Sequence, residues 1–145
     1  MFRVYLDNCC FNRPFDNQSH LKIRLETEAK LEIQARIAAG ELELAWSYIL
    51  DYENEANPFA ERRDAIRIWR NLACTDQMAT EDVIKKAKAL ALLGMKNKDS
   101  LHLACAIATN SDVFLTTDGG ILRKRETIRE IRVCSPVDFI QEEIR

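Results

Sequence analysis

Short apolar runs rich in β-branched and aromatic residues alternate along this chain with longer stretches of helical periodicity. That alternation is the strongest constraint on what it can fold into. Residues 2–6 (FRVYL) are one such run and read as a strand. Between residues 19 and 39, Leu21, Leu25, Ala29, Ile33 and Ile37 recur every four positions, marking one face of an amphipathic helix closed by Gly40. Residues 42–46 alternate as a second strand, with Ser47 placed to cap the helix that follows. Further helices fit residues 47–55, 59–73, 80–93 and 98–109, punctuated by Asn57-Pro58, Thr75-Asp76 and Gly94. Residues 113–117 (VFLTT) and 131–134 supply two more strands, separated by a short basic helix, and a last helix follows Pro136. Strands separated by helices imply crossover connections. The expectation is one α/β domain over residues 1–145, with a mostly parallel sheet covered by helices.

Composition narrows the function. A chain of 145 residues suits one domain and can bury roughly two thirds of its unfolded surface. With 47% hydrophobic residues and only 4 Gly and 3 Pro, low-complexity and disordered classes are excluded. No apolar run approaches the ~20 residues that span a bilayer, and the N-terminus lacks the long apolar segment of a signal peptide. The expected setting is cytoplasmic, with no membrane partner. The 21 Lys and Arg against 23 Asp and Glu give a net charge of −2, which excludes a generally basic nucleic-acid coat. It leaves room for an enzyme that meets phosphates through metal ions and local basic patches. Five Cys without a C-x-x-C pair, and only two His, argue against a zinc site and for buried, reduced thiols.

Four acids are placed to meet. Asp7 and Asp118 each follow an apolar strand directly, and in an open parallel sheet those strand ends share the edge where ligands gather. Glu53 lies in the helix leaving the second strand, on the face it shares with Ile49, Leu50 and Ala56; Asp51 and Glu55 are near enough to compete for its role. Asp99 opens an almost wholly apolar helix that runs back before the third strand, with His102 one turn later. Each acid alone has an ordinary structural role: a turn for Asp7 and Asp118, an N-cap for Asp99, a solvated helix position for Glu53. Together they would repel one another unless a hard divalent cation such as Mg²⁺ or Mn²⁺ held them. Such an ion supports hydrolysis of a phosphodiester.

The segments VYLDNCCFNRPFD, SYILDYENEANP, KDSLHLACAIA and VFLTTDGGIL resemble, in order and spacing, the motifs of the PIN-domain family of metal-dependent ribonucleases. That family includes toxins of bacterial toxin–antitoxin pairs. The resemblance spans residues 2–122 and implies a three-layer α/β/α sandwich. It also implies Mg²⁺ or Mn²⁺ held by Asp7, Glu53, Asp99 and Asp118, and cleavage of single-stranded RNA leaving a 5′-phosphate and a 3′-hydroxyl. Thr116 would orient Asp118, and Asn8 would support Asp7.

Basic residues take their places around this frame. Arg13 is placed either to meet a phosphate or to order the loop after Asp7. Lys85, Lys86, Lys88, Lys96 and Lys98 form one lysine-rich stretch; Arg123, Lys124, Arg125, Arg129 and Arg132 form another that leaves the acidic edge. Of these, Arg123 and Lys124 are the expected RNA contacts. The helices between residues 19 and 73 offer an apolar stripe to an antitoxin or to a second copy in a homodimer. His102 is expected to be a satisfied buried side chain. Two other functions remain open: an inert PIN-like module that binds RNA or protein, and a haloacid-dehalogenase-type phosphatase. The phosphatase requires a second Asp two positions after Asp7, where this chain has Cys9.

Overall fold

The computed structural model describes residues 1–143. Five strands, β1 (Arg3–Leu6), β2 (Glu43–Ser47), β3 (Thr75–Gln77), β4 (Val113–Leu115) and β5 (Arg132–Cys134), form one sheet in the order β3-β2-β1-β4-β5. Every neighbouring pair is parallel, so the sheet is wholly rather than mostly parallel. Its three central strands are buried on both faces: Val4, Tyr5 and Leu6, then Leu44, Ala45 and Trp46, then Val113, Phe114 and Leu115. Side chains that point alternately up and down must all be apolar when helices cover both faces, and this is why the strands read as continuous apolar runs.

The helices are α1 (Asn8–Asn12), α2 (Leu21–Ala38), α3 (Tyr48–Glu55), α4 (Ala60–Arg67), α5 (Glu81–Ala91), α6 (Asn97–Ala108), α7 (Gly119–Arg123) and α8 (Pro136–Glu143). Tight 3₁₀ turns occupy Arg13–Phe15, Ile68–Leu72 and Arg125–Thr127. The path from β1 through β2 to β3 crosses the sheet one way, and the path from β4 to β5 crosses it the other way. Right-handed crossovers then put α2 and α5–α6 on opposite faces, where α2 packs on α8 and α5 on α6. The chain thus reverses between β1 and β4, and the crevice beyond their carboxyl ends is the topological switch point.

Four features depart from the sequence pattern. Thr75-Asp76 is not a simple break but the start of β3. This edge strand has no large apolar residue and is held by its backbone, beginning with Cys74 N–H donating to Leu44 O at 2.9 Å. The chain does not pass straight from Asp7 into a loop: residues 8–12 form α1, because the Asp7 side chain caps it, accepting from Asn8 N–H. The stripe on α2 faces inward only in its second half: Ala29, Ile33 and Ile37 are buried, whereas Leu21 and Leu25 are 61% and 50% exposed. The first half is held by polar links instead, with Arg13 Nε donating to Glu26 Oε1 (3.2 Å) and Thr27 Oγ1 donating to Arg13 O (3.2 Å). The thiols are all free, but only Cys10, Cys105 and Cys134 are buried; Cys9 is half-buried and Cys74 exposed. Burial pushes the thiol of Cys105 up to about 12, which keeps it protonated and unreactive. Among the described residues no helix is long and apolar enough to cross a membrane.

Gly40, just past the end of α2, sits at φ +78° with nothing within 4 Å of where a Cβ would stand. Gly40→Ala therefore tests backbone conformation alone. It should destabilise the chain by about 1–2 kcal/mol in urea unfolding, with an unchanged slope.

Candidate active site

Asp7 extends the β1–β4 ladder by one bond, its N–H donating to Leu115 O at 2.9 Å. Its nearly buried carboxylate accepts from Asn8 N–H (2.8 Å) and from the Thr116 hydroxyl (2.8 Å). That hydroxyl also accepts from Asp118 N–H at 3.1 Å, so one side chain links the acids at the ends of β1 and β4. Thr116 thus meets Asp118 at its backbone and Asp7 at its carboxylate, whereas the sequence resemblance places it toward Asp118 alone. Asn8 supports Asp7 through its backbone, and its own Oδ1 is buried without a partner. Asp118 caps α7, its Oδ1 accepting from Gly120 N–H (2.7 Å) and Ile121 N–H (3.3 Å). A Cβ at Gly120 would come within 3.0 Å of that oxygen, which accounts for the second glycine after the acid.

Glu53 is the acid of its helix that turns inward. Asp51 instead accepts from Trp46 Nε1 at 2.9 Å, and Glu55 pairs with Arg67 at 3.4 Å on the surface. The Glu53 carboxylate makes a very close hydrogen bond to His102 Nε2, whose other neighbour is Asp7 Oδ1 at 3.8 Å. His102 is 1% exposed, and its Nδ1 bonds the Tyr5 hydroxyl at 2.7 Å, which in turn bonds Ser47 Oγ at 2.6 Å. It is therefore both a satisfied core histidine and a member of the site. The sequence signal was its place one turn after Asp99. Nothing local pointed to Tyr5, which joins through tertiary contact. Burial and the nearby Cys105, Asp7 and Glu53 push the Tyr5 phenol well above its ordinary range, so it remains neutral.

Electrostatics divide the acids. Burial pushes Glu53 up, but the hydrogen bond and charge of His102, with Lys98, bring it below its usual value. Asp99, on the first turn of α6, is pushed to about 6 by burial and by the charges of Asp7 and Asp118, against the opposing pull of His102 and Lys96. Asp99 and Asp118 line a hollow of about 220 Å³ together with Arg123 and Lys124. A larger hollow of about 710 Å³ at the β3 edge contains none of the four acids. Arg13 is engaged by Asp16 (2.8 Å) and Glu26 (3.2 Å), which orders the loop after α1. In the lysine-rich stretch Lys86 pairs with Glu130 at 2.7 Å.

Asp7, Glu53 and His102 bring one ligand atom each within 4.8 Å of the others. Two carboxylates and an imidazole suit a divalent cation. The Nδ1 bond to Tyr5 fixes the ring so that Nε2 faces the carboxylates and holds Glu53 in place. The repulsion recorded in Asp99 has the sign that a cation would relieve.

No family model and no curated sequence matches the chain. Solved structures do. A chain in the structure of VapBC2 from Rickettsia felis bound to a DNA fragment from its promoter superposes with a TM-score of 0.58 at 14% identity, over 92% of this chain and 98% of that one. A chain in the structure of VapBC-1 from nontypeable Haemophilus influenzae superposes with a TM-score of 0.60 at 14% identity, over 93% and 98%. At such identity the likeness is one of architecture, and the fold of this chain is PIN-like.

Two outcomes follow from the geometry. Tyr5→Phe leaves His102 Nδ1 buried without its partner and should cost about 1–3 kcal/mol in chemical unfolding. For Asp99, the folded chain takes up a proton near 6 whereas the ordinary carboxyl waits until 3.8. The carboxyl thus destabilises the metal-free fold above about pH 6, and the penalty fades between pH 6 and 3.8. Asp99→Asn should flatten that part of the Tm–pH curve. It should also raise Tm at neutral pH by about 2–4 °C, an effect discounted for the solvent that still reaches the group.

Proposed function

We propose that this chain is a Mg²⁺- or Mn²⁺-dependent endoribonuclease and the toxin member of a toxin–antitoxin pair, active in the cytoplasm. The observation that carries the proposal is the meeting of Asp7, Glu53 and His102 within 4.8 Å, beside an Asp99 whose carboxyl is raised to about 6 by Asp7 and Asp118. The ordered PIN-like motifs and the architecture shared with the VapBC structures support it.

Asp7, Glu53, Asp99 and Asp118 would hold the cation, with His102 positioning the Glu53 carboxylate. When bound, it supplies an activated water and offsets charge on the phosphodiester in the transition state. The chain's own groups do the rest. Thr116 and Asn8 N–H aim the Asp7 carboxylate; Gly120 and Ile121 N–H aim Asp118; His102 aims Glu53. Arg123 and Lys124, at the hollow shared with Asp99 and Asp118, are placed to take a phosphate of the strand. Water adds to phosphorus, the bond from phosphorus to the 3′-oxygen breaks, and that oxygen leaves with a proton, giving a 5′-phosphate and a 3′-hydroxyl.

The test is cleavage of an end-labelled single-stranded RNA by the purified chain. Mg²⁺ or Mn²⁺ should be required, and Asp7→Asn and Asp118→Asn should each abolish cutting while retaining the fold. Thr116→Val should lower metal affinity or activity about 10–100-fold, since it removes a group acting through Asp7. Titration with Mn²⁺ should raise stability by about 2.7 kcal/mol at a hundredfold excess over Kd, and Asp7→Asn should lose this gain. Wild-type cleavage in EDTA, or by Asp118→Asn, would remove the proposal.

A further inference from the structure

A second cleft, of about 350 Å³, lies between α1 and the connection from α3 to α4, and Glu53 forms part of its wall. Whatever occupies it therefore reaches the acidic site. Its other walls include Asn8, Asn57, Phe59, Arg62 and Lys98. From these residues we infer that the cleft is a docking groove for a single RNA strand. Bases stack on Phe59 and Tyr52, and phosphates meet Arg62 and Lys98. The inference rests on the ribonuclease function proposed above and adds the path by which the strand arrives.

The two cations of this wall are held without being neutralised. Among the described residues neither Arg62 nor Lys98 has a carboxylate within ion-pair distance, unlike Arg13, Arg67 and Arg70. Aromatic rings hold them instead. The Arg62 guanidinium lies 4.0 Å from the Phe59 centroid and 5.3 Å from that of Phe15; Lys98 Nζ lies 5.9 Å from that of Tyr52. A ring orders a cation without neutralising it, so the charge stays available to phosphate. The rings themselves remain open, with Phe59 52% and Tyr52 64% exposed. Phe59 is also held in place: its N–H donates to Asn57 Oδ1 (3.0 Å), and Asn57 Nδ2 donates to Asn12 Oδ1 (3.2 Å).

Flat open rings alternating with unneutralised cations match the repeat of base and phosphate in an unpaired strand. A duplex hides its base faces and would use only the cations.

The experiment uses the full chain carrying Asp118→Asn, so that the probe survives. The probes are a fluorescein-labelled RNA ten-mer, single-stranded or annealed as a blunt duplex, read by anisotropy over a range of salt. Phe59→Ala and Arg62→Ala should each weaken single-strand binding about tenfold, and Phe59→Ala should leave duplex binding unchanged. Arg62→Ala should also lower the steepness of log K against log salt by about 0.7, the loss of one phosphate contact. Phe59 is about half exposed and Arg62 half-buried without an ion pair among the described residues, so Tm should fall by no more than about 2–4 °C. Unchanged single-strand affinity in both variants would overturn the inference and leave the cleft to a protein partner. Equal losses for strand and duplex in Phe59→Ala would overturn it too. Wild-type RNA cleavage with unaltered binding by both variants removes the groove alone. Variant-sensitive strand binding without wild-type cleavage supports the groove and removes the nuclease alone.

Discussion

Carboxylates gathered where a parallel sheet reverses direction repel one another, and much of the surrounding structure holds them there against that repulsion. Asp7 and Asp118 are carried to the switch point by β1 and β4 and are steadied by backbone N–H groups at the starts of α1 and α7. The Thr116 hydroxyl joins them. Glu53 takes its compensation from His102. Asp99 is opposed by burial and by the charges of Asp7 and Asp118 more than Lys96 and His102 compensate, so its carboxyl is the one raised to about 6. The four acids are thus not equivalent. Three are stabilised by the chain, and one records the charge left unbalanced.

The site is also fastened to the core. Ser47 caps α3 and bonds Tyr5; Tyr5 bonds His102; His102 bonds Glu53. A buried polar chain of this kind is stabilising only when each member is satisfied, and then it fixes one arrangement. Tyr5 lies in the central strand, stacked on Phe114 at 5.4 Å, so the sheet interior and the acidic edge are parts of one packed unit.

A net charge of −2 conceals this local order. Several acids are concentrated at one edge, while many arginines are engaged in pairs along the surface: Arg13 with Asp16 and Glu26, Arg70 with Asp76. Among the described residues, Arg62, Lys98, Arg123 and Lys124 near the acidic edge have no such carboxylate partner. A chain without a generally basic surface can still present positive charge where a phosphate chain would have to pass.

The α/β class, the order of most elements and the positions of Asp7, Asp99 and Asp118 were legible in the amino-acid order. Buried strands and amphipathic helices write their periods into it, and residues directly after strands of a parallel sheet must share an edge. Where backbone or polar bonds replace apolar burial, that legibility ended. The β3 strand is held by its ladder, α1 by the Asp7 cap, and the first half of α2 by Arg13, so none shows the expected apolar pattern. Helical phase favoured Glu53 over Asp51 and Glu55, but only Trp46 and Arg67 claiming those two acids settled it. The same holds for Tyr5, His102 and Thr116. Their partners lie 42 to 109 residues away, and contact over such separations is set by packing rather than by any local pattern. The sequence by itself determined the elements that bury an apolar face and which acids share one edge. The tertiary structure alone decided how those acids are paired, because hydrogen bonds and charges act through space and not along the chain.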